Sequence, residues 1–505
     1  MKEIKRALIS VYSKDGILEI SKELLKNGVE ILSTGGTGDF LCKNGIPVSK
    51  VEDMTGYPSI LGGRVKTLHP KVFGGILGRR ENDGDKEDFE KFSILPIDLV
   101  IVDLYPFEET VAHGAAHQDI IEKIDIGGIS LIRAAAKNYN DVVIIPSKDS
   151  YAPFLQILKE KGAKTDLKDR EYFAARAFEV SSHYDTAIFD FFNKDFDIPV
   201  FDKSITEYKS LRYGENPHQK GFYFGPKNSL PEQIHGKEIS HNNLLDIEAA
   251  IELMHDFSDT TVAIIKHTNA CGCASDPNLV KAWEKALAGD PVSAFGGILI
   301  TNAEIDKAAA QEMNKIFFEV MIAPSYTKEA LDILEVKKNR VILVNKGVVP
   351  PAKKFRSLLN GVLVQDRDSY VETPEDLKPA TDLKPKDNEV PDLLFANKLV
   401  KHSKSNAIVL AKGKQLLASG IGQTSRVDAL KQAIQKAKSF NFDLNGAVMA
   451  SDAFFPFPDC VQIAAAEGIK TIIQPGGSIR DDESIEWCNK NGVAMVMTGI
   501  RHFKH

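Results

Sequence analysis

Short runs of aliphatic and β-branched residues recur along this chain. Each stops abruptly at a glycine-rich or polar turn and leads into a stretch with helical spacing. Ala7–Val11 reads as a strand, Gly16–Asn27 as a helix carrying Ile17, Ile20 and Leu24, and Glu30–Ser33 as a strand entering Thr34-Gly35-Gly36-Thr37-Gly38. Leu99–Leu104 and Val142–Ile145 are further buried strands, separated by an Ala-rich helix over Ile129–Lys137 and followed by a long helix over Glu171–Tyr184. Alternation of this kind predicts α/β architecture with sheets covered by helices. With 505 residues the chain is too long for one ordinary core, so two to four domains are expected. Residues 190–205, aromatic, acidic and without a clean period, mark the first boundary. A second α/β pattern follows, interrupted at 365–391 by a segment rich in Pro, Lys, Asp and Glu that reads as a surface connection, and resuming with strands at Asn406–Leu410 and Ala447–Ala450. Val262–His267 and Ala407–Lys412 share a form, apolar strand then lysine, which hints at duplicated halves.

Composition narrows the function classes. A net charge of −7 gives no general attraction to nucleic acid or anionic membrane. No apolar run approaches the roughly 20 residues of a membrane span, and Met1–Ser10 reads as a first strand rather than a signal peptide. Five scattered cysteines (42, 271, 273, 460 and 488) suit reduced thiols, so a cytoplasmic location is expected.

The segment Thr261–Cys273 predicts chemistry as well as fold. Val262–Ile265 is a buried strand that ends in Lys266-His267-Thr268-Asn269, followed by a turn of small residues. Open α/β sheets build ligand sites at such strand ends, and a lysine beside a histidine supplies acid–base groups near neutral pH. Cys271-Gly-Cys273 lacks the spacing of a zinc pair and has no second Cys/His pair to complete one, so no metal is expected; small residues in a tight turn explain it better.

Other blocks gain meaning together. Thr34-Gly35-Gly36-Thr37 at a strand end is suited to phosphate, with Ser10 and Lys14 on the neighbouring strand end, although glycine turns are often only turns. Gly62-Gly63-Arg64-Val65-Lys66-Thr67-Leu68-His69-Pro70 concentrates cations, a hydroxyl and an imidazole in a shaped loop. Asp125 precedes Gly127-Gly128 and a helix bearing Arg133 and Lys137, where a plain helix cap is the simpler reading. Ten helical residues span ~15 Å, so either the helix stops early or folds back, or Asp125 and Lys137 act on different substrate atoms. Arg212-Tyr213-Gly214-Glu215-Asn216-Pro217 could clamp a phosphate and cover a base, or simply form a domain-entry loop. Ser451-Asp452-Ala453-Phe454-Phe455-Pro456-Phe457-Pro458-Asp459 puts an aromatic wall in a fixed loop. The strand Val493–Met497 leads directly into Arg501–His505, which favours a docked terminus.

Gly62–Pro70, Ile124–Asn138, Leu211–Gln219, Lys266–Gly272, Ser451–Asp459 and Arg501–His505 together resemble the bifunctional purine-biosynthesis enzymes. These combine 5-aminoimidazole-4-carboxamide ribonucleotide (AICAR) transformylase with IMP cyclohydrolase. The resemblance covers essentially the whole chain in order. It implies a methylglyoxal-synthase-like three-layer cyclohydrolase domain over 1–195, a linker at 196–205, and a transformylase domain over 206–505 made of two cytidine-deaminase-like subdomains with their connection near 365–391. It also implies a homodimer with transformylase sites at the interface, and 10-formyltetrahydrofolate as cosubstrate. The deaminase zinc signature is absent, in keeping with a metal-independent transfer; a structural monovalent cation is left open.

By the same resemblance, Ser10, Lys14, Thr34, Gly35, Gly36 and Thr37 match phosphate-binding loops. Arg64, Lys66, Thr67, Asp103, Tyr105, Asp125 and Lys137 match the ring-closure site, with Lys137 as its proton-transfer residue. In the second domain His267 matches the base, Lys266 the group that stabilises developing charge, and Asn406 the amide beside them. Arg212, Tyr213, Gly296, Glu319, Phe454 and Arg501 match AICAR contacts, while Asp459, Ser478 and Ile479 match positions facing the folate. Two other readings compete. A non-catalytic nucleotide sensor need not keep Lys66, Asp125 and Lys137 together, and a deaminase would need the missing zinc ligands.

Overall fold

The computed structural model describes the backbone of residues 1–505 and every side chain except that of Lys227. It divides into two compact units, Met1–Thr206 and Glu207–His505.

In the first unit five parallel strands lie in the order Ser49–Lys50, Glu30–Ser33, Arg6–Ser10, Leu99–Val102, Val143–Ile145. The run Leu99-Val-Ile-Val102 is buried at every position, as expected of a parallel strand covered on both faces. Helix Ile17–Lys26 packs on Tyr151–Lys161, and helix Gly127–Lys137 packs on Pro70–Leu77 and on Leu167–Asn193. The last helix is longer than its spacing predicted. It starts at a capping box in which Asp166 and Asp169 exchange side-chain-to-backbone bonds.

In the second unit twelve strands form one sheet among the described residues. Its centre consists of two copies of one topology. The first copy is helix His241–His255, hairpin Thr261–Lys266/Asn269–Ser275, then strands Ile298–Thr301, Val320–Ala323 and Val341–Val344 with a helix before each. The second is helix Val390–Lys401, hairpin Ile408–Lys412/Gln415–Gly420, then Val448–Ser451, Thr471–Gln474 and Ala494–Met497, again with a helix before each. The hairpins meet antiparallel through Ala274 and Gln415, so the sheet runs unbroken from one copy into the other. The likeness of Val262–His267 to Ala407–Lys412 thus reflects a real repeat.

Two local expectations change. Cys271-Gly-Cys273 lies within strand Asn269–Ser275 rather than in a turn; the turn is His267–Thr268. Small size is still required there, because a Cβ on Gly272 would lie 2.1 Å from the Ala286 carbonyl oxygen of the covering helix. The connection at 365–391 is not wholly irregular. It begins at the end of an exposed hairpin, Lys353–Leu358/Gly361–Asp366, and Lys378–Pro379 adds a short edge strand to the sheet. Proline is tolerated at an edge, where its missing N–H is not needed. No helix is long and apolar enough to cross a membrane among the described residues.

Candidate active sites

In the first unit the relevant side chains gather at the carboxyl ends of the parallel strands. Arg6–Ser10 and Leu99–Val102 deliver Ser10, half-buried, and Asp103 to neighbouring positions. Asp103 accepts the backbone N–H of Tyr12 and, at 2.9 Å, that of Ser13. The Thr34–Thr37 segment is more helical than its glycines suggested. Thr34 is the extended residue before helix Gly35–Lys43, so Gly35, Gly36 and Thr37 form its first turn. Free N–H groups at such a turn favour an anion. Thr37 Oγ1 donates to the Val11 carbonyl oxygen at 2.9 Å and accepts from Lys14 Nζ at 3.1 Å, which ties the two loops together.

The loop at 61–69 closes over this edge. A Cβ on Gly35 would lie 3.5 Å from Lys66 Nζ, and one on Gly127 would lie 3.4 Å from Thr67 Oγ1. Asp125 Oδ1 accepts the Gly128 N–H at 2.6 Å, so Asp125 does brace its helix, and the Tyr105 N–H also faces this carboxylate. Arg64, largely exposed, pairs with Glu122 at 2.5 Å. Burial pushes the Asp103 and Asp125 carboxyls up, and the nearby Asp103 charge adds to the effect on Asp125. Burial, then the Asp125 charge, pushes the Tyr105 phenol up, and burial pulls the Lys14 ammonium down. The edge therefore combines anion-binding loops with groups whose proton affinities are displaced.

Lys137 is not brought to this cluster. Helix Gly127–Lys137 is unbroken, so its ends stand ~15 Å apart. The next residue, Asn138, donates to the Ile76 carbonyl oxygen at 2.8 Å, at the far end of helix Pro70–Leu77. Lys137 is exposed near the amino ends of the strands. Three residues the motifs did not mark do belong to the cluster. The Lys123 ammonium stands 5.5 Å from the Tyr12 ring and 5.8 Å from the Tyr105 ring, and Tyr184 Oη accepts the Asp125 N–H at 2.8 Å.

In the second unit the hairpin turn carries His267 and Thr268 with φ of 50° and 62°, both left-handed. Asp246, on helix His241–His255, accepts the Thr268 N–H at 2.7 Å. Burial pushes its carboxyl up, while that N–H and the His267 and Lys266 charges pull the other way. Lys266 Nζ donates to the Phe295 carbonyl oxygen at 2.5 Å. Gly296, with φ of 73°, leaves room beside it: a Cβ there would lie 3.4 Å from Lys266 Nζ.

From this turn a chain of hydrogen bonds crosses into the second copy. Asn269 Nδ2 donates to the His267 carbonyl oxygen at 2.8 Å, and Asn269 Oδ1 accepts the Lys404 N–H at 3.1 Å. Ser405 and Lys504 exchange bonds at 3.0 Å each. Asn406 Nδ2 donates to the Gln423 carbonyl oxygen at 2.9 Å, and its Oδ1 accepts from Arg426. Arg426 also reaches Asp452 Oδ1 at 2.7 Å and the Phe454 carbonyl oxygen at 3.3 Å. The terminus is docked: the His502 N–H donates to the Asp452 carbonyl oxygen at 3.1 Å, and its ring bridges Asp368 and Glu372 at 2.6 and 2.7 Å. Lys266, His267, Asn406, Phe454 and Arg501 thus lie along one sheet edge where the two copies join. This chain belongs to the AICARFT/IMPCHase bienzyme family.

That family's model matches residues 135–436, and a model of the MGS-like domain matches residues 16–130. Three relatives, each named bifunctional purine biosynthesis protein PurH, match along their full lengths. The protein from Bacteroides thetaiotaomicron is 65% identical over 504 residues, covering 100% of this chain and 99% of its own. That from Aquifex aeolicus is 49% identical and that from Persephonella marina 47%, each covering 99% of this chain and 100% of its own. As a member of the AICARFT/IMPCHase bienzymes the chain is an enzyme with two activities, AICAR formyltransferase and IMP cyclohydrolase.

The remaining motif residues of this family member occupy the same unit without direct contact to the Lys266–Asn406 chain. Glu319 pairs with Lys237 at 3.1 Å and Arg212 stacks over Tyr213 at 5.6 Å. Asp459 opens helix Asp459–Ala466, and the Ser478 N–H donates to Asp481 Oδ2 at 3.0 Å. Ile479 is fully exposed. Arg426 escaped sequence reasoning, yet a signal existed: a cation in the first turn of a helix opposes the helix dipole unless something local holds it.

Proposed function

We propose that the second unit transfers the formyl group of 10-formyltetrahydrofolate to the 5-amino group of AICAR, and that the first unit closes the resulting formyl-AICAR to IMP with loss of water. In the transfer, His267 accepts a proton as the amine nitrogen bonds to the formyl carbon. Lys266 stabilises the oxyanion of the tetrahedral intermediate, and the folate N10 departs with a proton returned to it. Asn406 orients the amine beside His267. Arg212, Tyr213, Gly296, Glu319, Phe454 and Arg501 hold the nucleotide; Asp459, Ser478 and Ile479 face the folate. The observation that carries this reading is that Asn269 bonds both the His267 carbonyl oxygen and the Lys404 N–H, which ties the His267 turn to the segment that carries Asn406 two residues on.

In ring closure, the carboxamide nitrogen attacks the formyl carbon. Asp125 and Tyr105 manage the protons of the nitrogen and of the departing oxygen, and Lys66 polarises the formyl oxygen. Lys14, the 34–37 turn, Arg64 and Thr67 hold the phosphoribosyl group, and Asp103 fixes the 12–14 loop. Lys137, at the far end of helix Gly127–Lys137 from Asp125, is given no step in this reading. We assign the enzyme to the cytoplasm and to a homodimer. The exposed hairpin Lys353–Leu358/Gly361–Asp366, with Leu359 97% exposed and Leu363 57%, favours burial against a second copy.

The test is IMP formation from AICAR and 10-formyltetrahydrofolate by purified full-length protein. Lys266→Ala and His267→Ala should stop the first step while formyl-AICAR is still cyclised. Full transfer by either variant would refute the assignment.

A further inference from the structure

The internal repeat supplies a comparison inside one chain. The turn of the first hairpin is Lys266-His267-Thr268, and that of the second is Lys412-Gly413-Lys414. Both turns are left-handed at two successive residues, with φ of 50° and 62° at His267 and Thr268 and 61° and 52° at Gly413 and Lys414. Each is held by an aspartate on the helix that precedes its hairpin. Asp246 accepts the Thr268 N–H at 2.7 Å, and Asp392 accepts the Gly413 and Lys414 N–H groups at 2.7 Å each. The sequence separation is the same, 22 residues from Asp246 to Thr268 and from Asp392 to Lys414. The copies differ at the first left-handed position. The second has glycine, which adopts this conformation freely, whereas the first has histidine, for which it is unfavourable.

We propose that Asp246 is a positioning residue for formyl transfer: its carboxylate holds the His267–Thr268 turn in the left-handed conformation that presents His267 on the edge shared with Lys266 and Asn406. This rests on the proposed role of His267 and extends it. Asp392 has the same bond and the same place in the fold but serves a turn without a histidine. It therefore separates positioning from plain structural support.

The experiment measures transfer and cyclisation separately in four variants of the full-length chain. Asp246→Ala should lower the transfer kcat about 100-fold, the scale of a misplaced reacting group, with the KM for AICAR within about threefold. Asp246→Asn keeps an acceptor oxygen for the Thr268 N–H and should recover most of that loss. Asp246→Ala combined with Thr268→Gly, which eases the left-handed turn, should recover part of it and guards against a single variant that folds poorly. Asp392→Ala should leave the transfer kcat within about twofold, and cyclisation should be unchanged in all four. Equal effects of Asp246→Ala and Asp392→Ala on transfer, or no loss in Asp246→Ala, would overturn the inference. Full transfer by His267→Ala would instead overturn the reading on which it rests.

Discussion

Arg426 and Asn406 are joined side chain to side chain, Nη2 to Oδ1 at 2.9 Å, and the same guanidinium nitrogen reaches Asp452 Oδ1 at 2.7 Å. Asp452 is 0% exposed and Arg426 9% at their side chains. The Asn406 amide is therefore fixed at both ends, its Oδ1 by a guanidinium that a buried ion pair holds in place and its Nδ2 by the Gln423 carbonyl oxygen.

Arg426→Lys keeps the charge but loses the fork that serves Asn406, Asp452 and Phe454 together. Transfer should fall at least about tenfold, with cyclisation unchanged. Arg426→Ala leaves Asp452 buried without its partner and should cost about 3–5 kcal/mol of stability in the second unit, measurable by urea unfolding.

Asp125→Asn and Tyr105→Phe remove proton-handling groups from the first unit without changing their shape. Each should slow formyl-AICAR cyclisation by roughly 10²–10⁴-fold while transfer proceeds, so formyl-AICAR should accumulate in the coupled assay. Chromatography of the products distinguishes the two steps.

His502 lies between two carboxylates that hold its imidazolium up to about 9 against burial, which acts in the opposite direction. Its folded affinity for the proton exceeds the unfolded value near 6.5, so its contribution is fully present below about pH 6.5 and disappears as pH rises through about 9. That contribution is on the order of 3 kcal/mol. Stability of the second unit should decline between pH 6.5 and 9, and His502→Gln should flatten that decline in urea titrations at several pH values.

Gly272→Ala should destabilise the second unit by about 1–3 kcal/mol through overpacking, since its Cβ would strike the Ala286 carbonyl oxygen at 2.1 Å. Thermal unfolding would show a lowered transition with both substrate affinities intact in the surviving fold.

The strands were legible because strands buried on both faces read as continuous runs, as in the parallel Leu99–Val102 and the antiparallel Val262–Ile265. The chemistry at their ends was legible for the same reason: an apolar run that stops at Lys266-His267 announces its own edge. The turn was misplaced because His267 and Thr268 carry no residue that favours a left-handed backbone. What holds them is Asp246, 22 residues away on a helix. Arg426 was missed because its partners, Asn406 and Asp452, come from loops at the ends of two different strands. The unbroken helix Gly127–Lys137 sets Lys137 at the far end from Asp125, a separation that the motif alone leaves open. Local pattern reports strand ends well, and it is silent about which distant side chain braces them.

The join through Ala274 and Gln415 also bears on how the second unit comes apart. Removing either copy would break that pairing and open the apolar core that Ile247 and Ile265 of the first copy share with Leu399 and Val409 of the second. The edge that carries His267 and Asn406, moreover, is stitched across that seam by Asn269 and Lys404. Neither half is then a foldon in its own right. Hydrogen exchange at the innermost strands of both copies should follow a single opening reaction, and limited proteolysis should yield no lasting half-unit.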